Sequence, residues 1–147
     1  MSNNNQNLRF EGSIWCNLDI ALRSMDQYFR QHIQPDDITV IEWYILRALY
    51  EEDGRHASEL ARAVGRAATS FTPNLDKLQQ KGWVERRPDE ADRRAVRIYL
   101  TDKARQIRED VLESAKRLDG QLSDMFVDNE FENFSKVLGA LQSLAGD

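Results

Sequence analysis

"WVERRPDEADRRAVRIYLT" (Trp83–Thr101) alternates apolar and charged positions on either side of a charged tip. Trp83 and Val84 lead into Arg86, and Val96, Ile98 and Leu100 recur at every second position, so each half reads as a strand with one face toward a core. "DEADRR" lies between them, and the stretch predicts a two-stranded hairpin with a charged tip. Five of the twelve residues from Arg86 to Arg97 are arginine, although the chain has a formal net charge of −5. From Arg55 to Arg105 there are twelve Lys/Arg against seven Asp/Glu, and elsewhere eight against eighteen. A basic middle third between acidic flanks points to a polyanionic partner such as nucleic acid, because clustered cations bind through phosphates. A solvated face with scattered charges is the alternative.

Upstream of the hairpin, "ASELARAVG" reads as a short helix with Leu60, Ala61 and Val64 inward and Gly65 ending it. "RAATSFTPNLDKLQQKG" follows, with Phe71, Leu75 and Leu78 on one face and Gly82 closing it. Two short helices joined through a glycine match a helix-turn-helix, and a hairpin beside one is a wing. In that arrangement the second helix enters the major groove of a duplex and the wing reaches the neighbouring minor groove. A narrow minor groove favours arginine, whose guanidinium sheds water more readily than an ammonium. The bland reading of the tip is a turn with surface ion pairs, each worth less than about 1 kcal/mol.

Further out, "TVIE" at Thr39–Glu42 is a capping box that opens a helix carrying Trp43, Ile45, Leu46 and Leu49. Ile14, Leu18, Ala21/Leu22, Met25, Phe29 and Ile33 form the stripe of a long first helix, ended by Pro35 and the Asp36–Asp37 pair. Thr101 caps a helix of six or seven turns whose stripe runs from Ala104 through Ile107 and Val111 to Met125. Asp128 or Asn129 caps a last one, with Phe131, Phe134, Leu138, Leu141 and Ala145. These terminal stripes exceed what a small helix-turn-helix module can cover. Pairing with a second copy across a two-fold axis accommodates them.

Other classes find little support. In 147 residues no apolar run approaches the ~18 needed to span a bilayer, and no membrane partner is expected. "MSNNNQN" is polar and reads as a disordered tail over residues 1–12. One cysteine, Cys16, suits a reducing cytoplasm. Cys16, His32 and His56 are too dispersed for a metal site, and no phosphate loop or nucleophile elbow occurs. Neither an enzyme nor a cofactor is expected.

"ELARAVGRAATSFTPNLDKLQQKGWVERRPDEADRRAVRIYLTDKA" (Glu59–Ala104) resembles the winged-helix core of the multiple-antibiotic-resistance-regulator (MarR) family of bacterial transcription factors. The matching positions include Leu60–Ala61, Leu75–Asp76, Lys81–Gly82, the Asp-x-Arg of Asp92 and Arg94, and Leu100–Thr101. The resemblance implies a mostly α fold with a small β-hairpin: a winged helix-turn-helix core over 38–100, and dimerisation helices over 13–34 and 101–147 of a single domain spanning 13–147. It implies a homodimer on double-stranded DNA, a pseudo-palindromic operator, and repression released by a small ligand or by oxidation.

Ser70, Thr72 and Asn74 are then the major-groove candidates, and Arg93, Arg94 and Asp92 those of the wing, with Asp92 orienting Arg94. Arg66, Lys77, Lys81 and Arg87 are candidate phosphate contacts. Trp15, Trp43, Tyr44 and Arg47 are candidates to line a pocket for an aromatic or phenolic ligand, although aromatic residues at helical spacing more often form core. Cys16 falls where the family's hydroperoxide sensors carry a reactive cysteine, which makes a redox sensor one alternative; a protein-interaction module on the same scaffold is another. Two departures stand out. Ala67 replaces the family's capping serine, and Pro73 follows Thr72 where the family often has arginine. Pro73 either marks the helix start or sits inside a helix begun near Ala67, bending it near Thr69.

Overall fold

The computed structural model describes residues 8–34, 37–66 and 68–146, with the side chains of 68 and 69 excepted. Sequence expectations on residues 1–7, on Pro35 and Asp36, and on Ala67 fall outside these residues. Over 8–12 the chain turns, and the Phe10 N–H donates to Asn17 Oδ1 at 3.1 Å.

Helix α1 (Ile14–His32) starts on Ser13, whose hydroxyl accepts from the Cys16 N–H. Its only buried residue is Phe29. Helix α2 (Val40–Glu51) begins with the capping box expected of "TVIE". The Thr39 N–H donates to Glu42 Oε2 at 3.0 Å, and the Glu42 N–H donates to Thr39 Oγ1 at 3.4 Å. Strand β1 (Arg55–His56) runs into α3 (Ala57–Ala63), and α4 (Ala68–Gln80) follows. Strands β2 (Val84–Pro88) and β3 (Val96–Leu100) form the hairpin, with Val84 opposite Leu100 and Pro88 opposite Val96.

Phe71, Leu75 and Leu78 of α4 are buried with Leu60 and Ala61 of α3, Ile45, Leu46 and Leu49 of α2, and Val84, Ile98 and Leu100 of the sheet. Each of these side chains except Ala61 contributes about 1.5–3 kcal/mol by leaving water. Burying one face of α4 fixes which face it presents outward. Its end is set by Gly82 at φ +81°, which lets the Trp83 N–H reach back to the Leu78 carbonyl at 3.0 Å.

Four details depart from or decide the sequence reading. The sheet has a third strand, because β1 pairs with β3 and gives the order β1-β3-β2. The helix after Thr101 is divided into α5 (Asp102–Gln106) and α6 (Arg108–Ser123), since Ile107 adopts φ −96°, ψ 6°. The last helix, α7 (Asp128–Gln142), is capped by Val127 in extended conformation, so Asp128 is its first helical residue and not its cap. The Val127 N–H is met by Glu130 Oε2 at 3.2 Å. Pro73 lies inside α4, which excludes a start at Thr72.

Candidate nucleic-acid interface

The face of α4 opposite the core exposes Ser70, Thr72, Pro73, Asp76, Lys77, Gln79 and Gln80. Asn74 sits on the flank, half-buried, and its amide donates to the Ser70 carbonyl at 3.1 Å. Arg66 is exposed just ahead of the helix. Arg86 joins α4 to the hairpin: Nη2 lies 2.7 Å from Asp76 Oδ1, and Nη1 donates to Gln79 Oε1. That pair offsets the acid on the outward face and fixes the hairpin against the helix.

The tip is an ordered turn. The Asp89 N–H donates to the Ala95 carbonyl and the Ala95 N–H to the Asp92 carbonyl, both at 3.0 Å. Asp92 Oδ1 accepts from the Arg94 N–H at 3.0 Å, a side chain imitating a backbone turn. The Arg94 guanidinium is 3.6 Å from the same oxygen, and its side chain is 95% exposed. Asp92 therefore places Arg94 chiefly through the backbone, because an ion pair this exposed holds little by itself. Arg93 is exposed beside it. Arg87 lies over the Tyr99 ring at 4.5 Å and also pairs with Glu85, so part of its charge is met within the strand.

Beneath the tip is a cluster that sequence reading missed. Asp89 is only 7% exposed and joins three elements. Its carboxylate accepts from His56 Nε2 at 2.5 Å, Arg97 Nε at 3.0 Å and the Ala91 N–H at 2.9 Å. The other ring nitrogen of His56 faces Glu59 Oε1 at 3.1 Å. The hydrogen bond from His56, that from Ala91 and then Arg97 hold the Asp89 carboxyl well below the ordinary carboxylate range. The same contacts with Asp89 and Glu59 raise His56 above the ordinary histidine value. His56 and Asp89 are 33 residues apart, and no local pattern links them.

Lys81, expected on phosphate, is engaged inside the protein. Its ammonium lies 2.9 Å from Glu42 Oε2, a carboxylate 1% exposed, and donates to the Asp37 carbonyl at 3.0 Å. Burial works against its charge, but Glu42 and Asp37 prevail and raise its pKa. Lys81 thus ties the end of α4 to the start of α2.

A family model described as MarR family matches residues 36–95, the part that holds the helix-turn-helix and most of the wing. The uncharacterised HTH-type transcriptional regulator YsmB of Bacillus subtilis (strain 168) is 31% identical over 110 residues, 75% of this chain and 72% of that one. The chain belongs to the MarR family. It is a DNA-binding transcriptional regulator and not an enzyme. Another relative, the HTH-type transcriptional regulator TtmR of Methylorubrum extorquens (strain PA1), is 30% identical over 60% of this chain, and the match spans 45% of its own length.

Solved structures share the MarR fold. A MarR variant from Escherichia coli complexed with operator DNA has a TM-score of 0.77 at 24% identity, covering 84% of this chain and 89% of that one. BpsR of Bordetella bronchiseptica, described with regulation of its DNA binding by 6-hydroxynicotinic acid, has a TM-score of 0.83 at 18% identity, covering 93% and 98%.

The MarR-family chain also has a cavity of about 150 Å³ between α1, α2 and α6. Trp43, Tyr44 and Arg47 line it with Met25, Phe29 and Leu118. The Trp43 ring is buried, and its Nε1–H donates to Ser114 Oγ at 2.9 Å, so it serves as core and cavity floor together. Burial and then Asp26 raise the Tyr44 phenol pKa, which keeps it a neutral donor. Trp15, 84% exposed on the first turn of α1, lies outside this lining, and Cys16 beside it is exposed. Among the described residues no group of three or more His, Cys, Asp and Glu could hold a metal ion, and no helix is long and apolar enough to cross a membrane.

Proposed function

We propose that the protein is a homodimeric repressor of a pseudo-palindromic operator, released by a small aromatic or phenolic ligand. The observation that carries the reading is the outward face of α4 braced by Arg86 against a hairpin whose tip exposes Arg93 and Arg94. Ser70, Thr72 and Asn74 face bases in the major groove, and Arg94 enters the minor groove with its turn set by Asp92. Arg66, Lys77, Arg87 and Arg93 meet phosphates. Lys81, held by Glu42, positions the helix rather than the DNA.

Dimerisation is supported by the terminal helices. Helix α7 buries none of its residues within the chain, and Met125, Phe126, Val127, Phe134, Val137 and Leu138 are exposed together with Ile14, Trp15 and Leu22 of α1. A two-fold axis through this region would cover them and present two α4 helices to successive major grooves. The cavity supports ligand control: its apolar walls suit an aromatic ring, with Arg47 and Tyr44 as polar groups to orient it.

Selection of bound sequences from random duplexes with the purified protein tests the reading. A palindrome with half-sites ~10 base pairs apart should be enriched, and log affinity should fall steeply with log salt. No enriched palindrome, or a flat salt response, would remove it.

A further inference from the structure

We propose that His56 is a positioning residue for the wing: its doubly protonated ring ties the start of α3 to the root of the hairpin through Asp89, and operator binding weakens as the ring loses a proton. The inference rests on the DNA reading above and adds a control to it. One ring nitrogen of His56 faces a carboxylate oxygen of Asp89 at 2.5 Å, and the other faces a carboxylate oxygen of Glu59 at 3.1 Å. An ionised carboxylate can only accept, and a neutral imidazole has one N–H to give. Only the imidazolium can donate to both. Asp89 cannot easily supply the missing proton, because Arg97 and the Ala91 amide also donate to it.

The groups around the ring decide what its deprotonation does. Glu59 faces it from α3, Asp89 from the hairpin root and Arg97 from β3, while Arg55, the preceding residue, is turned toward Glu51 and Glu52. With the ring charged, two cations meet two carboxylates. With the ring neutral, the mostly buried Asp89 keeps Arg97 as its cation, whose Nη1 also serves the Gly54 carbonyl, and the exposed Glu59 loses its charged partner. One ring nitrogen then confronts an oxygen lone pair to lone pair.

Asp89, the closer acceptor, keeps the remaining N–H, so the bare nitrogen faces Glu59. The bond to Asp89, which joins the helix-turn-helix to the residue from which the tip springs, weakens by losing its charge assistance. The amides of Ala91 and Asp89 hang the turn on that carboxylate and on Ala95. A loosened root lowers the fraction of molecules whose Arg94 is in place, and apparent affinity falls with that fraction. The sign follows from the raised His56 value: the contribution is complete below the ordinary histidine range and is lost as pH rises through the elevated one.

The test measures operator affinity by fluorescence anisotropy from about pH 6 to about pH 9 at constant ionic strength, with the full-length wild type and the His56→Gln, His56→Lys and His32→Gln variants. Wild type should weaken about five- to tenfold as pH rises. His56→Gln should stay weak throughout, whereas His56→Lys keeps a cation and should stay tight. His32, stacked on Tyr28 in α1, is the control, and His32→Gln should follow wild type. Hydrogen exchange at the Ala91 and Ala95 amides, corrected for intrinsic rates, reads the hairpin root without DNA. Protection should drop with pH in wild type and persist in His56→Lys. Constant protection with a flat wild-type binding profile overturns the proposal, as does a fall that survives in both His56 variants. Failure to bind any duplex would remove the operator reading instead, and the exchange profile would still decide what His56 does.

Discussion

At Arg94 the backbone is held while the side chain reaches into solvent, the arrangement a groove contact needs. Arg94→Ala should weaken operator binding by about 1–3 kcal/mol and leave the melting temperature unchanged. Asp92→Ala should act in the same direction, because the Arg94 amide loses its acceptor. Lys77→Ala, on the exposed face of α4, should instead lower affinity evenly across sequences and reduce the salt slope by about one. Isotherms on operator and scrambled duplexes separate the two behaviours. Asp89 makes a different prediction. A depressed carboxyl contributes stability that is present above its unfolded value and lost as pH falls through the folded one, and the raised His56 loses its share at the alkaline end. The difference in melting temperature between wild type and Asp89→Asn should therefore be widest between about pH 4 and about pH 6.5 and should narrow on both sides. A difference constant with pH would show that the carboxylate is not carrying the bond.

The elements divide by how local their causes are. The Thr39–Glu42 box, the Thr101 cap and the alternation in β2 and β3 rest on residues a few positions apart, and the sequence shows them plainly. Strand β1 has two residues and exists only because β3 lies beside it, so no pattern announces it. The break at Ile107 is hidden for another reason: Ala104, Ile107 and Val111 keep one apolar face through the turn that separates α5 from α6. At the candidate site the arginine tip was legible, whereas Lys81 and His56 depend on partners 39 and 33 residues away. Pro73 tests an element as a whole. It gives no N–H to the carbonyl four residues back, which costs up to about 3 kcal/mol, offset by about 0.4–1 kcal/mol from a stiffer unfolded chain. The residue is exposed and loses no packing, so Pro73→Ala should raise unfolding stability by about 2 kcal/mol in urea titrations. Gly54→Ala should do the opposite. At φ +73° its Cβ would stand 2.7 Å from Tyr99 Cε1, and a loss of about 1–3 kcal/mol is expected, more than for Gly82→Ala, where the nearest such contact is 3.9 Å.

For the molecule as a whole, the balance of cover is the decisive quantity. The core from Phe29 to Ala115 closes on itself, while α7 and the rest of α1 do not. Light scattering at micromolar concentration should give about twice the chain mass of 17.1 kDa. Phe134→Asp should shift the mass toward one chain and lower operator affinity without touching α4, because it places a charge on the exposed apolar face that the proposed second copy would cover. A monomeric wild type would reverse this account of the terminal helices. The bare α7 has a further consequence for the life of the protein in a cell. If its helix is completed only on meeting a second chain, newly made copies are vulnerable until they find one another, and the rate of that encounter grows with the square of their concentration. Proteases would clear the chain at low expression and spare it at high expression. The amount of working regulator would then respond to its own synthesis more steeply than in proportion, a threshold written into one uncovered helix.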